Sequence, residues 1–412
     1  MSDIVEVRYR YRLRVSTEQG RALQGVFDAC RATWNQALGR WSSLWREEGL
    51  RLGYADADRE LTDWRGRWGW LGAQPSVPEQ QVLRDLYRAI AAFLDKTNPA
   101  ARPHFKRKRD GYATARWTRQ GFKVAGNGIR GRDVRLEVAV AGGRMPLRVV
   151  WSRPLPSEPS SVTVYRDASL HWWASFVCRV AVRGEPLGPT GRSTGLDVGL
   201  TAFATVEDPA HDVANPRYAK AAARAKNRAD RNLSRKQPGS NNRANARRRR
   251  ARIEARVSAQ RADFHHKAAR ALLAVYDRIG VEDFRVKNIS RKGRGRRKAG
   301  LNRSIADAGW AEFRRILVWQ AAKAGKSVVI SPVRDSTQRC SSCEAKAKPR
   351  MELSDRVFRC RACGLVLGRD RNAARNLNPD RPGPGGGAEP CGTIPEGDDG
   401  NETLVPAGSE AA

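Results

Sequence analysis

Four cysteines near the carboxyl end fall into two pairs of identical spacing, Cys340-Ser-Ser-Cys343 and Cys360-Arg-Ala-Cys363. A two-residue gap lets both thiolates of one turn reach a single ion, and two such turns complete a four-sulfur zinc tetrahedron. With every ligand a cysteine, no position stays open for water, so this zinc is expected to be structural. Just beyond lies Gly368-Arg-Asp370-Arg-Asn372-Ala-Ala-Arg-Asn376. Its carboxylate asks for a different, hard ion such as magnesium. Two further acids stand inside apolar runs, Asp197 in Thr194-Gly-Leu-Asp197-Val-Gly-Leu200 and Glu282 in Ile279-Gly-Val-Glu282-Asp-Phe284. A charge at the centre of an apolar strand is costly unless it is paired or holds metal. Three such acids, brought together, are what two-metal hydrolysis of a phosphodiester needs. Each also has a plain alternative: Asp197 as a turn residue before Gly199, Glu282 as a strand end at the surface, Asp370 as a helix cap. That all three alternatives hold beside a zinc module is the less favoured combination.

The bulk composition points to a partner. The chain has 412 residues, a formal net charge of +34 and a pI near 11.0. Charge of that size works against compaction, so an acidic polymer is the expected partner; a ribosome-associated or merely soluble basic protein is the alternative. The basic residues run through the whole chain, which favours an extended polyanion channel over one basic arm. The length suggests two or three domains. The start, Met1-Ser-Asp-Ile-Val, lacks the apolar core of a secretory signal. No run approaches the roughly 18 apolar residues of a membrane span, so no membrane partner is expected. Cys30 and Cys178 are expected as buried thiols and Cys391 as an exposed tail thiol. This usage suits a reducing bacterial cytoplasm, near the nucleoid. Nothing here sets an oligomeric state.

The elements that must position these groups can be followed along the chain. Residues 3–14 alternate apolar and polar, which predicts residues 1–14 as a strand. Ser16-Thr-Glu-Gln19 opens a helix by capping chemistry. Leu23, Val26, Phe27, Cys30, Trp34, Leu38, Trp41 and Trp45 recur on its one face, a core pattern in preference to a base-stacking platform. Trp64, Trp68 and Trp70 fall in what reads as a Gly-rich link. A second helix follows Ser76-Val-Pro78, with Val82, Leu83, Leu86, Ile90, Phe93 and Leu94 inward. Residues 15–98 are thus a helical insertion. Over 99–190 strand alternation returns and predicts an antiparallel barrel that also uses residues 1–14. Ahead of its strands, Arg102-Pro-His-Phe-Lys106-Arg107-Lys-Arg109 suits a phosphate backbone, with a solvated charge run as the alternative.

Residues 191–335 carry the first two acids. Between them, residues 217–270 form two basic helical arms around Gln237-Pro-Gly-Ser-Asn-Asn242. Ile253, Val257, Phe264, Ala268, Leu272 and Val275 make a core stripe, and Arg247, Arg248, Arg249 and Arg250 are candidate phosphate contacts. A flexible basic loop over 290–300, a helix over 306–324 and a strand over 327–330 lead to the zinc module at 336–364. The third acid sits in 365–377. Residues 378–412 are Pro/Gly-rich and acidic and are expected to be disordered.

The order Gly195-Leu-Asp197-Val-Gly199, Val281-Glu282-Asp-Phe-Arg-Val-Lys-Asn288, paired CxxC and Asp370-Arg-Asn372-Ala-Ala374 resembles the RuvC-like nuclease of TnpB proteins. These are RNA-guided endonucleases of bacterial insertion sequences, similar to type V CRISPR effectors. Tyr11-Arg-Leu13, Cys30-Arg31 and Trp34-Asn-Gln-Ala-Leu38 resemble the family's amino terminus, and Arg102-Pro-His-Phe-Lys106 its Pro-x-Phe-Lys element. Leu301-Asn-Arg-Ser-Ile-Ala-Asp-Ala-Gly-Trp310 and Ser336-Thr-Gln-Arg-Cys340 resemble the stretches before its zinc ribbon.

The resemblance implies an α+β multidomain chain. A β-barrel wedge domain would hold an inserted helical recognition domain. An RNase H-like, RuvC-type α/β nuclease domain would hold an inserted zinc ribbon. Asp197, Glu282 and Asp370 would be the three magnesium-binding catalytic acids, and Cys340, Cys343, Cys360 and Cys363 the zinc ligands. The loop over 290–300 would be a lid. The partners would be a guide RNA and a double-stranded DNA target cut beside a short adjacent motif. Gln80, Gln81 and Arg84 are candidates for reading that motif, since amide and guanidinium groups suit base edges. Gly368 departs from the family pattern, in which an acid often precedes the catalytic Asp by two residues. A compact type V CRISPR effector and a silent RNA-guided DNA-binding repressor are the competing readings.

Overall fold

The computed structural model describes residues 4–49, 52–95, 97, 100–107, 113–125, 134–181, 187–283, 296–331, 335–352 and 354–381. Arg109, Cys391, residues 290–295 of the expected basic loop and the tail beyond residue 381 lie outside them; residues 296–300 of that loop are instead the start of a helix, where Arg, Lys and Ala are good helix formers. The chain divides into two compact units, Met1–Ala181 and Val182–Ala412.

The first unit begins with β1 (Ile4–Arg14), then the helices α1 (Thr17–Glu47), α2 (Tyr54–Arg67), α3 (Gly69–Gly72) and α4 (Ser76–Leu94). Six strands follow: β2 (Thr114–Thr118), β3 (Phe122–Ala125), β4 (Arg135–Val140), β5 (Gly143–Val150), β6 (Pro159–Arg166) and β7 (Trp172–Ala181). They form an antiparallel seven-stranded sheet ordered β2-β6-β7-β1-β5-β4-β3. The two ends of that order are joined by a tight turn, and the Trp117 indole of β2 donates to Ala139 O of β4 at 3.0 Å, so the sheet curls almost into a barrel. The first strand is central and the helices are an insertion behind it. Ser16 and Gln19 cap α1 reciprocally, as the sequence predicts.

Helix and sheet share one core. Trp34 and Trp41 are buried in it, beside Tyr11, Phe27, Leu83, Trp117 and Phe176. Cys30 and Cys178 are buried thiols. The expected Gly-rich link is instead largely α2. Ala57, Leu61 and Trp64 are its buried residues, at helical spacing. Gly66 and Gly69 disguise that period in the sequence. Arg65 closes the turn after α2 by donating to the carbonyls of Gly72 and Gln74 and pairing with the buried Glu79.

The second unit opens with β8 (Ser193–Val198), β9 (Ala202–Thr205) and β10 (Val213–Ala214). The basic arms are α5 (Tyr218–Ser234) and α6 (Asn241–Val275), a helical hairpin. Then come β11 (Arg278–Glu282), α7 (Arg296–Ala308), α8 (Trp310–Lys323), β12 (Ser327–Ser331), β13 (Val357–Arg359), β14 (Val366–Gly368) and α9 (Arg369–Leu377). The sheet order is β10-β9-β8-β11-β12. The first three strands are antiparallel, and β11 runs parallel to β8 and β12. This is the arrangement expected of an RNase H-like domain. Its core joins Leu196, Phe203, Leu272, Ile279, Val281, Phe313 and Leu317.

Three expectations shift. The helix predicted over 306–324 is two helices, broken where Gly309 takes a left-handed φ of +65°. The core stripe of α6 is confined to its second half, with Ala268, Leu272 and Leu273 buried and Ile253 and Val257 only partly so. The tail expected to be disordered from 378 begins with Asn378 and Pro379, which are buried.

Candidate metal centre

Two neighbouring strands and one helix assemble the acids. Leu196 of β8 stands opposite Val281 of β11 in a parallel ladder, so the next residues, Asp197 and Glu282, sit side by side. Side chains alternate along a strand, so Gly195 shares a face with Asp197, and Gly280 with Glu282. Gly195 and Gly280 are themselves register partners. Together they make a side-chain-free slot, into which the end of α9 settles. A Cβ on Gly195 would run into Ala374 O, and one on Gly280 into Leu377 O. Ala373, Ala374 and Leu377 of α9 are buried there. The helix thereby lies on the face that carries Asp197 and Glu282, and Asp370 is in its first turn.

The Asp197 carboxyl lies within electrostatic reach of the other two acids, although among the described residues only the four cysteines bring their ligand atoms within 4.8 Å of one another. The Asp197 carboxyl is pushed up to about 8, first by removal from water and then by the negative charges of Asp370 and Glu282, with Arg369 opposing. Burial also raises the Glu282 carboxyl; a hydrogen bond from Ser336 pulls it back, and Asp335 and Asp283 push it up further. A half-buried carboxylate facing two others is a poor resting state without a cation, and oxygen ligands suit magnesium. The donor set therefore fits such an ion. The helix-cap alternative for Asp370 is weaker: the residue preceding the helix is Gly368, and the recorded partner of the Asp370 carboxylate is Arg369 at 3.4 Å.

Several contacts that sequence reading missed hold α9. Arg371 grips Asp212 with both terminal nitrogens at 2.8 Å and also reaches Val206 O, tying the helix to the antiparallel edge of the sheet. The fully buried Asn372 donates to Arg339 O at 2.6 Å and accepts from Ser341 N at 2.9 Å. Asn376 donates to Ser336 O and Arg339 O. The glycine slot left one signal in the sequence, a glycine two residues before each strand acid. The long-range polar contacts left none.

The four cysteine sulfurs lie within 4.8 Å of one another, with Cys340–Cys363 and Cys343–Cys360 at 3.5 Å. Zinc–sulfur bonds of about 2.3 Å give a tetrahedral edge of about 3.8 Å, so four free thiols at this spacing fit zinc. The hairpin β13–β14 carries the second knuckle, and Phe358 fills the small core.

The candidate nucleic-acid contacts lie elsewhere. Arg247 and Arg249 are exposed on α6. Arg248 binds Asn245, and Arg250 is held by Asp230 at 2.9 Å and Glu254 at 3.2 Å. In the first unit, Trp34 donates to His104 O and Asn35 clamps the Lys106 backbone, so the basic stretch is latched to α1. Lys106 lies over the Trp34 ring, while Phe105 and Arg107 are exposed. On α4, Gln81 is buried and Gln80 half-buried; exposed Arg84 donates to the Tyr54 hydroxyl at 3.2 Å.

The fold is an RNase H-like domain with a four-cysteine module, in which Asp197 and Glu282 stand side by side on adjacent strands and Asp370 opens α9. Three family models match the chain: "Helix-turn-helix domain" over residues 1–49, "Probable transposase" over 175–293 and "Cas12f1-like, TNB domain" over 310–377. The first of these regions is here a strand and one unbroken helix. The "Putative RNA-guided DNA endonuclease" of Streptomyces pristinaespiralis is 33% identical over 382 residues, covering 92% of this chain and 90% of that one. The "Putative RNA-guided DNA endonuclease InsQ" of Escherichia coli (strain K12) is 31% identical over 380 residues, with 90% of each chain covered. A more distant match is "TnpB-like protein L79" of Acanthamoeba polyphaga mimivirus, 25% identical over 237 residues, covering 55% of this chain and 44% of that one. The chain belongs to the TnpB family, that of its two bacterial relatives. Among the described residues, no helix is long and apolar enough to cross a membrane.

Proposed function

We propose that this chain is an RNA-guided DNA endonuclease of an insertion sequence, cutting duplex DNA beside a short adjacent motif. What supports the reading is the pairing of Asp197 and Glu282 at the ends of adjacent parallel strands, with Asp370 in the first turn of α9 acting on Asp197, in a chain one-third identical to a relative bearing that name. Asp197 and Glu282 would hold magnesium between them from the sheet, and Asp370 would complete the shell from α9. When bound, the ions would supply an activated water and stabilise the leaving oxygen. Asp197 must give up its proton to serve as a ligand, and the neighbouring Arg369 favours the ionised form.

The four cysteines would hold zinc as structure, with no role in hydrolysis. Arg247, Arg248, Arg249 and Lys106, Arg107 would contact guide or heteroduplex phosphates, which hold register without reading sequence. Arg250 is the weaker candidate, since two carboxylates already occupy it. Arg84 and Gln80 remain the candidates for motif reading; burial removes Gln81 from direct reach. The intact acid set favours cleavage over a silent guided repressor.

The test is to purify the chain with its co-purifying RNA, sequence that RNA, and offer a matching duplex library. Magnesium-dependent cutting beside one motif is expected. Guided binding with no nick in magnesium or manganese would support the repressor and implicate Gly368.

A further inference from the structure

We propose that Asn372 and Asn376 are positioning residues that make the zinc module a working part of the carboxylate centre. The inference rests on the metal-binding role of the acids given above.

One segment, residues 336–341, joins α9 to the first zinc knuckle. At its start, the buried Ser336 offers its backbone carbonyl to α9. At its end, Cys340 is a zinc ligand, flanked by Arg339 and Ser341. Asn372 grips both flanking residues through their backbone, donating to Arg339 O at 2.6 Å and accepting from Ser341 N at 2.9 Å. A carboxamide offers both the donor and the acceptor that this grip requires. Asn376, one turn on, adds bonds to Ser336 O at 2.7 Å and Arg339 O at 2.9 Å. Asn372 lies two residues after Asp370 on the same short helix. The knuckle is therefore wired to the helix that carries Asp370. Its rigidity, set by zinc, would fix where that helix acid stands over the sheet acids.

Groups that orient metal ligands without touching the ion are worth about 10–100-fold in metal affinity. A purely structural docking of α9 makes a different prediction: stability falls while metal affinity stays the same.

The experiment uses the full chain with its guide RNA and reads manganese binding by electron paramagnetic resonance, zinc content, and cutting across a magnesium series. Asn372→Ala is expected to keep its zinc, weaken manganese binding by about 10–100-fold, and regain cutting at raised magnesium. Unchanged manganese affinity in Asn372→Ala overturns the proposal. Should that variant fail to fold, Asn376→Ala carries the same test, because it removes two hydrogen bonds from a half-buried residue. Weakened manganese binding in Asn376→Ala with zinc retained supports the proposal; unchanged manganese binding overturns it. Manganese affinity is read without cleavage. A wild-type chain that binds manganese but cuts nothing therefore contradicts the endonuclease reading and leaves this test intact.

Discussion

Filling the glycine slot should uncouple cutting from binding. In Gly195→Ala, the new methyl would overlap Ala374 O and stand 2.7 Å from both Asn378 N and Leu377 C. Those are backbone atoms, so no side chain can swing aside. Relieving 2.7 Å to the roughly 3.5 Å of ordinary carbon contact takes about 0.8 Å of movement, more for the carbonyl oxygen. The helix must lift, and Asp370 in its first turn lifts with it. Magnesium bonds of about 2.0–2.1 Å in near-ideal octahedra tolerate no such shift. Misplacement by about 1 Å costs on the order of 100-fold in rate. Overpacking adds roughly 1–3 kcal/mol of destabilisation. The assay is single-turnover cutting of a guided duplex, paired with binding of the same duplex and a thermal melt. Cutting is expected to fall at least about 100-fold with binding retained. Gly280→Ala should behave likewise, since its methyl would overlap Leu377 O. Gly66→Ala is the control. It sits in α2 with nothing within 4 Å, and helix propensity favours the alanine by up to about 1 kcal/mol. Gly195→Ala protein that cuts and melts like wild type would refute the idea that α9 seats on this slot.

Four further outcomes follow from the same geometry. Cys343→Ser should lose zinc and much of its soluble yield; folded, zinc-free protein would contradict the structural role of the four sulfurs. Asp197 has a folded-state pKa raised to about 8, so the metal-free chain is favoured while that carboxyl is protonated. That contribution is present below about pH 4 in full measure, relative to the ionised state, and is lost as pH rises through about 8. In chelator the melting temperature should therefore fall from about pH 6 to about pH 9 more in wild type than in Asp197→Asn, with magnesium restoring most at the alkaline end. Asp277→Ala leaves Lys326, with a side chain only 2% exposed, without its carboxylate, and denaturant curves should show a loss on the order of 3 kcal/mol. Neutralising Arg247 and Arg249 should reduce the slope of binding against salt by about 1 for each lost phosphate contact and leave target preference alone; an unchanged slope would place both in bulk solvent.

Local chemistry was legible in the sequence and long-range contacts were not. The zinc cysteines announce themselves because ligand spacing within a knuckle is a local constraint. Asp197 and Glu282 stand out because a charge inside an apolar strand breaks a local rule, and the fold brings the two side by side in adjacent strands. The capping box of α1 and the tip between α5 and α6 are equally local. What escaped depends on partners far along the chain. Trp64 looked like part of a link because glycines broke its period, yet burial makes Tyr54–Arg67 a helix. Gly309 gives no sign that it will split the predicted helix. Asn372 and Ser336 are ordinary polar residues until α9 and the knuckle meet.

The central claim is that three acids hold metal for DNA cutting and contribute little to guided binding. Asp197→Ala, Glu282→Ala and Asp370→Ala, each assembled with guide RNA, should bind the matching duplex nearly as wild type and cut it at no measurable rate in magnesium. Loss of binding in step with cutting would contradict the claim, as would Asp370→Ala protein that still cuts after paying only about 1 kcal/mol as a lost helix cap.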